Sequence, residues 1–129
     1  MKKKLSVICS ILFLFNAFIH LLLVLGAPLG EYVLGGKYLV VPVAMRIVNL
    51  FFFFLWLFSG YCYLAYSKIL KTWLSNTFLK HFLLGITLFT IIAIFSNLFI
   101  TTSSKERLLM TPLTIVVSIC SFAVIKMKE

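Results

Sequence analysis

Long apolar runs separated by short polar connections dominate this chain. Four runs carry no acidic side chain and no basic one other than His, and they cover residues 5–25, 47–66, 82–101 and 108–125. A hydrocarbon core about 30 Å thick needs roughly 20 apolar helical residues. None of the runs alternates polar and apolar residues as a barrel strand does, so each is predicted to be a helix. Pro42 is expected to open the second helix, which then covers about residues 43–66.

The composition favours the same architecture. Of the 129 residues, 63% are hydrophobic and 12% are charged, whereas a soluble domain carries about 25% charged residues. This balance excludes a soluble globular protein and predicts an all-α membrane protein, a four-helix transmembrane bundle that forms a single integral membrane domain over residues 1–129. A cleaved secretory signal is the disfavoured alternative, because the first apolar run is longer than the roughly 7–15 residues of a signal core.

The distribution of cations predicts the orientation. The chain has 12 Lys and Arg against three acidic residues, a net charge of +9. Four spans place both termini on one side of the membrane, together with residues 67–81. That side holds eight cations and the other side four: Lys2, Lys3, Lys4, Lys68, Lys71, Lys80, Lys126 and Lys128 against Lys37, Arg46, Lys105 and Arg107. Because cytoplasmic loops are enriched in Lys and Arg, we expect a multi-pass protein of the cell membrane with both termini cytoplasmic.

The connections carry local signals of their own. Apolar residues spaced through residues 67–81 favour a short amphipathic helix on the inner leaflet, with a plain loop as the alternative. In the first outer connection, two strand-like runs at 31–34 and 37–40 flank Gly35-Gly36. Glycine adopts the positive φ of a tight turn without penalty, so this pattern predicts a short β-hairpin-like lid over the outer end of the bundle. An irregular loop is the alternative.

The second outer connection leaves the start of the fourth helix open between Ser104 and Pro112. Ser103 or Ser104 can cap that helix, and Glu106 would then fall in its first turn, where the helix dipole favours an anion.

Polar residues at membrane depth are the leads to function, because burying them in lipid is costly. Three helices are predicted to place such groups in one outer layer, and the candidate polar pocket consists of Asn16, His20, Arg46, Asn49 and Asn97. His20 could exchange a proton there and Arg46 could hold an anion. The alternative is hydrogen bonding between helices with no ligand. Candidate contacts in the outer loops are Glu31, Lys37, Glu106 and Arg107.

No motif of catalysis or cofactor binding occurs in the chain. Cys9, Cys62 and Cys120 are predicted to share an inner layer, but no metal-binding spacing accompanies them, so we expect no metal and a role in packing. There is no nucleophile elbow, phosphate loop or carboxylate pair within the spans. The sequence therefore predicts a protein that is not an enzyme and needs no cofactor.

Several short motifs together resemble a known pattern. They are Gly26-Ala27-Pro28-Leu29-Gly30, Gly35-Gly36-Lys37, Met45-Arg46, Asn97, Lys105-Glu106-Arg107 and Pro112. The arrangement GAPxG, GGK, MR and KER is similar to that of small four-span bacterial membrane proteins of unassigned function. The resemblance covers most of the chain after the first span and implies no activity, substrate or cofactor.

Two functions remain compatible with these features. The first is an accessory protein that binds membrane lipids or a partner, either another membrane protein or a second copy of this chain. The alternative is an oligomeric transporter or channel that uses the outer polar pocket for a small solute, because four short spans enclose little space by themselves. The charge pattern indicates contact with anionic lipid rather than with nucleic acid.

Overall fold

The computed structural model describes residues 1–128 and contains four long helices. Helix α1 covers Lys2–Val24, α2 covers Val43–Tyr66, α3 covers Asn76–Phe95 and α4 covers Ser104–Lys126. Helix α3 continues into one π-helical turn at Ser96–Ile100. All four are long and apolar enough to cross a membrane, so the prediction of an all-helical bundle with four candidate membrane-spanning helices is confirmed.

Local hydrogen bonds and backbone conformations determine where the helices begin and end. At the end of α1, the amides of Gly26 and Ala27 bind the carbonyls of Leu23 and Leu22 at 3.1 and 3.0 Å, with Gly26 at φ +91°. This is a Schellman motif, which a glycine in the left-handed region makes possible. Pro42 precedes the first residue of α2, as predicted.

Serine side chains begin the last two helices. The Ser75 hydroxyl accepts the Phe78 amide at 3.1 Å, and the Ser103 hydroxyl accepts the Glu106 amide at 3.3 Å. Helix α4 therefore starts at Ser104, and Pro112 lies inside it. The amphipathic surface helix predicted for residues 67–81 is wrong, because α3 begins at Asn76 and residues 67–75 form turns and bends.

Successive helices run in opposite directions, so the bundle has two distinct ends. The end formed by residues 26–42 and 96–103 is called the loop end, and the end with both chain termini and residues 67–75 is called the terminal end. Helix α1 packs extensively on α2, and α3 on α4, whereas α2 and α3 have far less contact with each other. This leaves a gap between α2 and α3.

Aromatic and small residues fill the centre. The ring of Phe13 is fully buried and stacks on Trp56 and on Tyr63, with centroid separations of 5.4 Å in both pairs. Close approach of α1 and α2 depends on Gly60, where an added Cβ would lie 3.3 Å from the Ser10 hydroxyl oxygen. Small residues allow helices to pack closely in a membrane, where water does not drive them together.

Buried hydroxyl groups form hydrogen bonds between α2, α3 and α4. Ser121 on α4 is hydrogen-bonded to the Tyr63 hydroxyl on α2 and to the Thr87 hydroxyl on α3. Ser118 donates to Thr90 at 2.9 Å. These buried bonds satisfy polar groups that would otherwise be costly in an apolar surrounding.

The three cysteines contribute to the same packed core. Cys9 and Cys62 are fully buried, and the thiols of Cys9 and Cys120 are in contact. Within residues 1–128 no three His, Cys, Asp or Glu side chains lie close enough together to hold a metal ion.

The predicted β-hairpin-like lid is wrong, because residues 1–128 contain no strand. Gly35 and Gly36 do adopt positive φ, of +87° and +65°, but Leu34 does so as well at +50°. Three consecutive left-handed residues coil the chain rather than reversing it between two extended arms. The segment instead forms a 3-10 turn at Gly30–Tyr32, followed by an irregular loop.

Candidate functional site

A cavity of about 640 Å³ lies at the loop end, in the gap between α2 and α3. Val48 on α2 and Ile92 on α3 both line it and are 40% and 59% exposed, so part of its lining reaches the outer surface of the bundle. Volumes of about 300–1,000 Å³ are typical of sites for small molecules.

The floor of the cavity is aromatic. Phe52 and Trp56 of α2 meet Phe89 of α3, with ring centroids 6.3 and 5.7 Å from that of Phe89. Further apolar lining comes from α2, α3, α4 and the first loop, whereas α1 contributes only Asn16 and His20. The Trp56 indole N–H is buried and has no acceptor among the described residues.

Polar side chains are concentrated toward the loop end of the cavity, beside apolar Val33, Leu34 and Ile100. The polar lining consists of amide, imidazole, hydroxyl and charged side chains, namely Asn16, His20, Lys37, Ser96, Asn97, Thr101, Thr102, Glu106 and Thr114. An apolar floor below a polar rim is the division expected of a site for an amphipathic molecule.

Helix α3 contributes to the rim through its π-helical turn. The Thr101 amide binds the Ser96 carbonyl at 3.1 Å, which is the wider i to i−5 bond of this turn. Ser96, Asn97 and Ile100 all line the cavity. Single π turns within helices occur frequently at functional sites, and here the turn widens α3 at the point where its side chains surround the cavity.

His20 is positioned by Asn49 of the neighbouring helix. The Asn49 amide nitrogen donates to the Met45 carbonyl at 2.9 Å, which leaves its carbonyl oxygen to accept from His20 Nδ1 at 2.7 Å. Nδ1 therefore carries the proton in this arrangement. The imidazole also stacks on Phe52 with a centroid separation of 5.3 Å. Proton exchange by His20 stays a prediction.

The first loop covers the polar end by binding the start of α4. The Gly35 amide donates to both carboxylate oxygens of Glu106, at 3.1 and 3.3 Å. Ser103 donates its hydroxyl to the Glu31 carbonyl at 2.5 Å, and Lys105 forms an ion pair with the Glu31 carboxylate. Residues 31–37 are thus held over the cavity by side chains about 70 positions later in the sequence, and we call this segment the cover loop.

Glu106 is the most unusual residue of the site. It is only 4% exposed and lines the cavity. Its carboxylate accepts hydrogen bonds from the Gly35 amide and the Thr101 hydroxyl, both of which are neutral. Within residues 1–128 no Lys, Arg or His lies within ion-pairing distance of it.

The candidate pocket predicted from the sequence maps only partly onto this cavity. Asn16, His20 and Asn97 line it, whereas Asn49 is fully buried behind His20. Arg46 is directed elsewhere: its Nε donates to the Val41 carbonyl at 3.2 Å, and its guanidinium lies over Gly26. The assignment of these residues to a functional pocket stays a prediction.

Of the four candidate contacts in the outer loops, two line the cavity and two do not. Lys37 and Glu106 line the cavity. Glu31 pairs with Lys105, and Arg107 donates to the Thr101 carbonyl at 3.1 Å. The sequence analysis placed Glu106 outside the spans. The cover loop buries it, and no local sequence pattern predicts that contact.

Comparison with known proteins adds no further assignment. No family model matches this chain, and no characterised protein or solved structure matches it either.

Proposed function

We propose that this chain is a multi-pass protein of the cell membrane that binds an amphipathic, lipid-like molecule in the cavity between α2 and α3. The observation that supports this function is the combination of an aromatic floor with polar side chains toward the loop end of the same cavity. Because Val48 and Ile92 line the cavity and are exposed, we infer that it opens between α2 and α3. A molecule with an apolar tail and a polar head can enter from the bilayer without leaving it.

The role fits an accessory protein better than an enzyme. The cavity is lined mainly by apolar, amide and hydroxyl groups, which can bind and orient a ligand. Bound lipid could then act on a second membrane protein or on another copy of this chain. Solute flux through proteoliposomes that contain only this protein would support the alternative function, an oligomeric transporter.

Filling the cavity tests the proposed function. Ala93 lines the cavity from α3, so Ala93→Phe places a ring in the space that the tail would occupy. We expect this variant to lose binding of a tail-labelled fluorescent lysophospholipid by tenfold or more, measured by anisotropy in detergent micelles. Ala44→Phe is the matched control, because Ala44 is exposed on α2 outside the cavity. Equal binding by both variants would contradict the proposal.

The proposed orientation has its own test. With the native cysteines replaced, single cysteines at exposed Tyr38 and Trp73 report the loop end and the terminal end. Because the terminal end carries most of the cations, we expect a membrane-impermeant maleimide to label Tyr38→Cys in intact cells and Trp73→Cys only after lysis. Labelling of Trp73→Cys in intact cells would reverse the orientation.

A further inference from the structure

The charges around the cavity indicate which head group it takes. Four cations lie at the loop end, and three of them are engaged outside the cavity. Lys105 pairs with Glu31, while Arg46 and Arg107 donate to backbone carbonyls. Lys37 is exposed, lines the cavity and has no hydrogen bond or ion pair within residues 1–128.

Glu106 supplies the opposite charge in the same cavity. A buried carboxylate without a countercharge is costly, and neutral donors offset only part of that cost. An ionised carboxylate can accept about four hydrogen bonds. Those from Gly35 and Thr101 leave capacity for a further donor, and Oε1 receives only the longer bond of 3.3 Å.

The cavity therefore presents one unpaired cation and one unpaired carboxylate that do not neutralise each other. A ligand that satisfies both must carry an anionic and a cationic group. Hydrogen bonding to the carboxylate requires an N–H or O–H donor. Among cationic groups, a primary ammonium has N–H donors and a quaternary ammonium has none. Asn16, His20 and Asn97 also line the cavity and add hydrogen-bonding capacity.

We propose that the cavity binds a zwitterionic phospholipid with a primary amine, such that Lys37 binds the phosphate and Glu106 binds the ammonium. This inference rests on the proposed function, because it assumes a lipid tail on the aromatic floor. It adds the chemical class of the head group and assigns Glu106 a role in selecting it.

The competing explanation is that Glu106 has a structural role alone. Its carboxylate lies in the first turn of α4, where the helix dipole favours an anion, and it holds the Gly35 amide of the cover loop. Under that explanation, neutralising Glu106 would weaken every lipid equally by loosening the loop. The two explanations therefore differ in selectivity rather than in affinity alone.

A head-group series tests the proposal on the unmodified chain. The probes are lysophosphatidylethanolamine, lysophosphatidylcholine and lysophosphatidic acid with the same acyl chain, competing against a tail-labelled lysolipid in detergent. We expect the ethanolamine lipid to bind about tenfold more tightly than the choline lipid, a difference of about 1.4 kcal/mol, because only the primary ammonium adds a charge-assisted hydrogen bond. Phosphoethanolamine without a tail should not compete at the same concentrations, which distinguishes a membrane lipid from a soluble zwitterion.

Two variants then test which residue binds the phosphate and which binds the ammonium. Glu106→Gln keeps an oxygen acceptor for Gly35, and we expect it to reduce ethanolamine-lipid binding to the level of the choline lipid while leaving lysophosphatidic acid unchanged or tighter. Lys37→Gln should weaken all three phosphate lipids severalfold and keep their order. Glu31→Gln removes the Lys105 ion pair that helps hold the cover loop, so it is the control for a loosened loop: any loss of binding should be by the same factor for all three lipids and should keep their order.

The outcomes separate this inference from the proposed function. If Glu106→Gln weakens all three lipids by the same factor, or if wild type does not distinguish ethanolamine from choline, the head-group assignment is overturned while lipid binding stands. If none of the lipids binds, or if Ala93→Phe does not affect their binding, the proposed function itself fails.

Discussion

Replacing Gly36 with alanine should destabilise the protein by about 3 kcal/mol, whereas the same change at Gly35 should cost about 1 kcal/mol. Both glycines have positive φ, of +65° and +87°, so both variants incur the backbone penalty of the left-handed region. The surroundings of the two residues differ. A Cβ at Gly36 would overlap the Cβ of Ser103 and lie 2.8 Å from the Glu31 carbonyl oxygen, whereas a Cβ at Gly35 meets no atom within 4 Å.

The overlap at Gly36 would also disturb the start of α4. Ser103 caps that helix and donates to the Glu31 carbonyl, so displacing it removes two hydrogen bonds. Reversible unfolding in mixed micelles measures the stability, and hydrogen exchange of residues 31–37 locates the loss. Equal destabilisation by Gly35→Ala and Gly36→Ala would show that the cover loop does not pack against Ser103 as described.

Replacing His20 with leucine should cost about 2 kcal/mol, because it leaves the buried Asn49 oxygen without a donor. Asn49 is fully buried, and its oxygen accepts from His20 at 2.7 Å. His20→Gln can restore an N–H donor and should retain most of the stability. The same unfolding measurement applies to both variants.

A double-mutant cycle isolates the pair. Asn49→Leu should be destabilising by a similar amount to His20→Leu, but His20→Leu combined with Asn49→Leu should cost much less than the sum, because no polar group is then buried unpaired. Additive losses would indicate that the two residues contribute independently, through packing against Phe52 and neighbouring side chains.

The sequence by itself determined the elements of the fold. Every segment that crosses a hydrocarbon core needs about the same length and a high hydropathy, and its backbone N–H and C=O groups must form hydrogen bonds within the helix. Four apolar runs of that length therefore suffice to predict four helices. The actual helices extend a few residues into the flanking polar positions, since helix ends depend on caps such as Ser75 and Ser103 rather than on hydropathy. The start of α2 after Pro42 and the positive φ of Gly35 and Gly36 could also be predicted, because both depend on local sequence alone.

Only the tertiary structure decided the site. The hairpin prediction failed because backbone groups of this segment bind the start of α4 rather than a partner strand: the Gly35 amide binds Glu106, and the Glu31 carbonyl accepts from Ser103. Depth along each helix placed His20, Asn49 and Asn97 near one level, but packing decided that His20 and Asn97 line the cavity while Asn49 is buried behind His20. Packing also directs Arg46 toward the Val41 carbonyl rather than into the cavity. Glu106 is polar and close to a loop in the sequence, and it is buried only because the cover loop folds over it, a contact between residues far apart in the chain that no local pattern encodes.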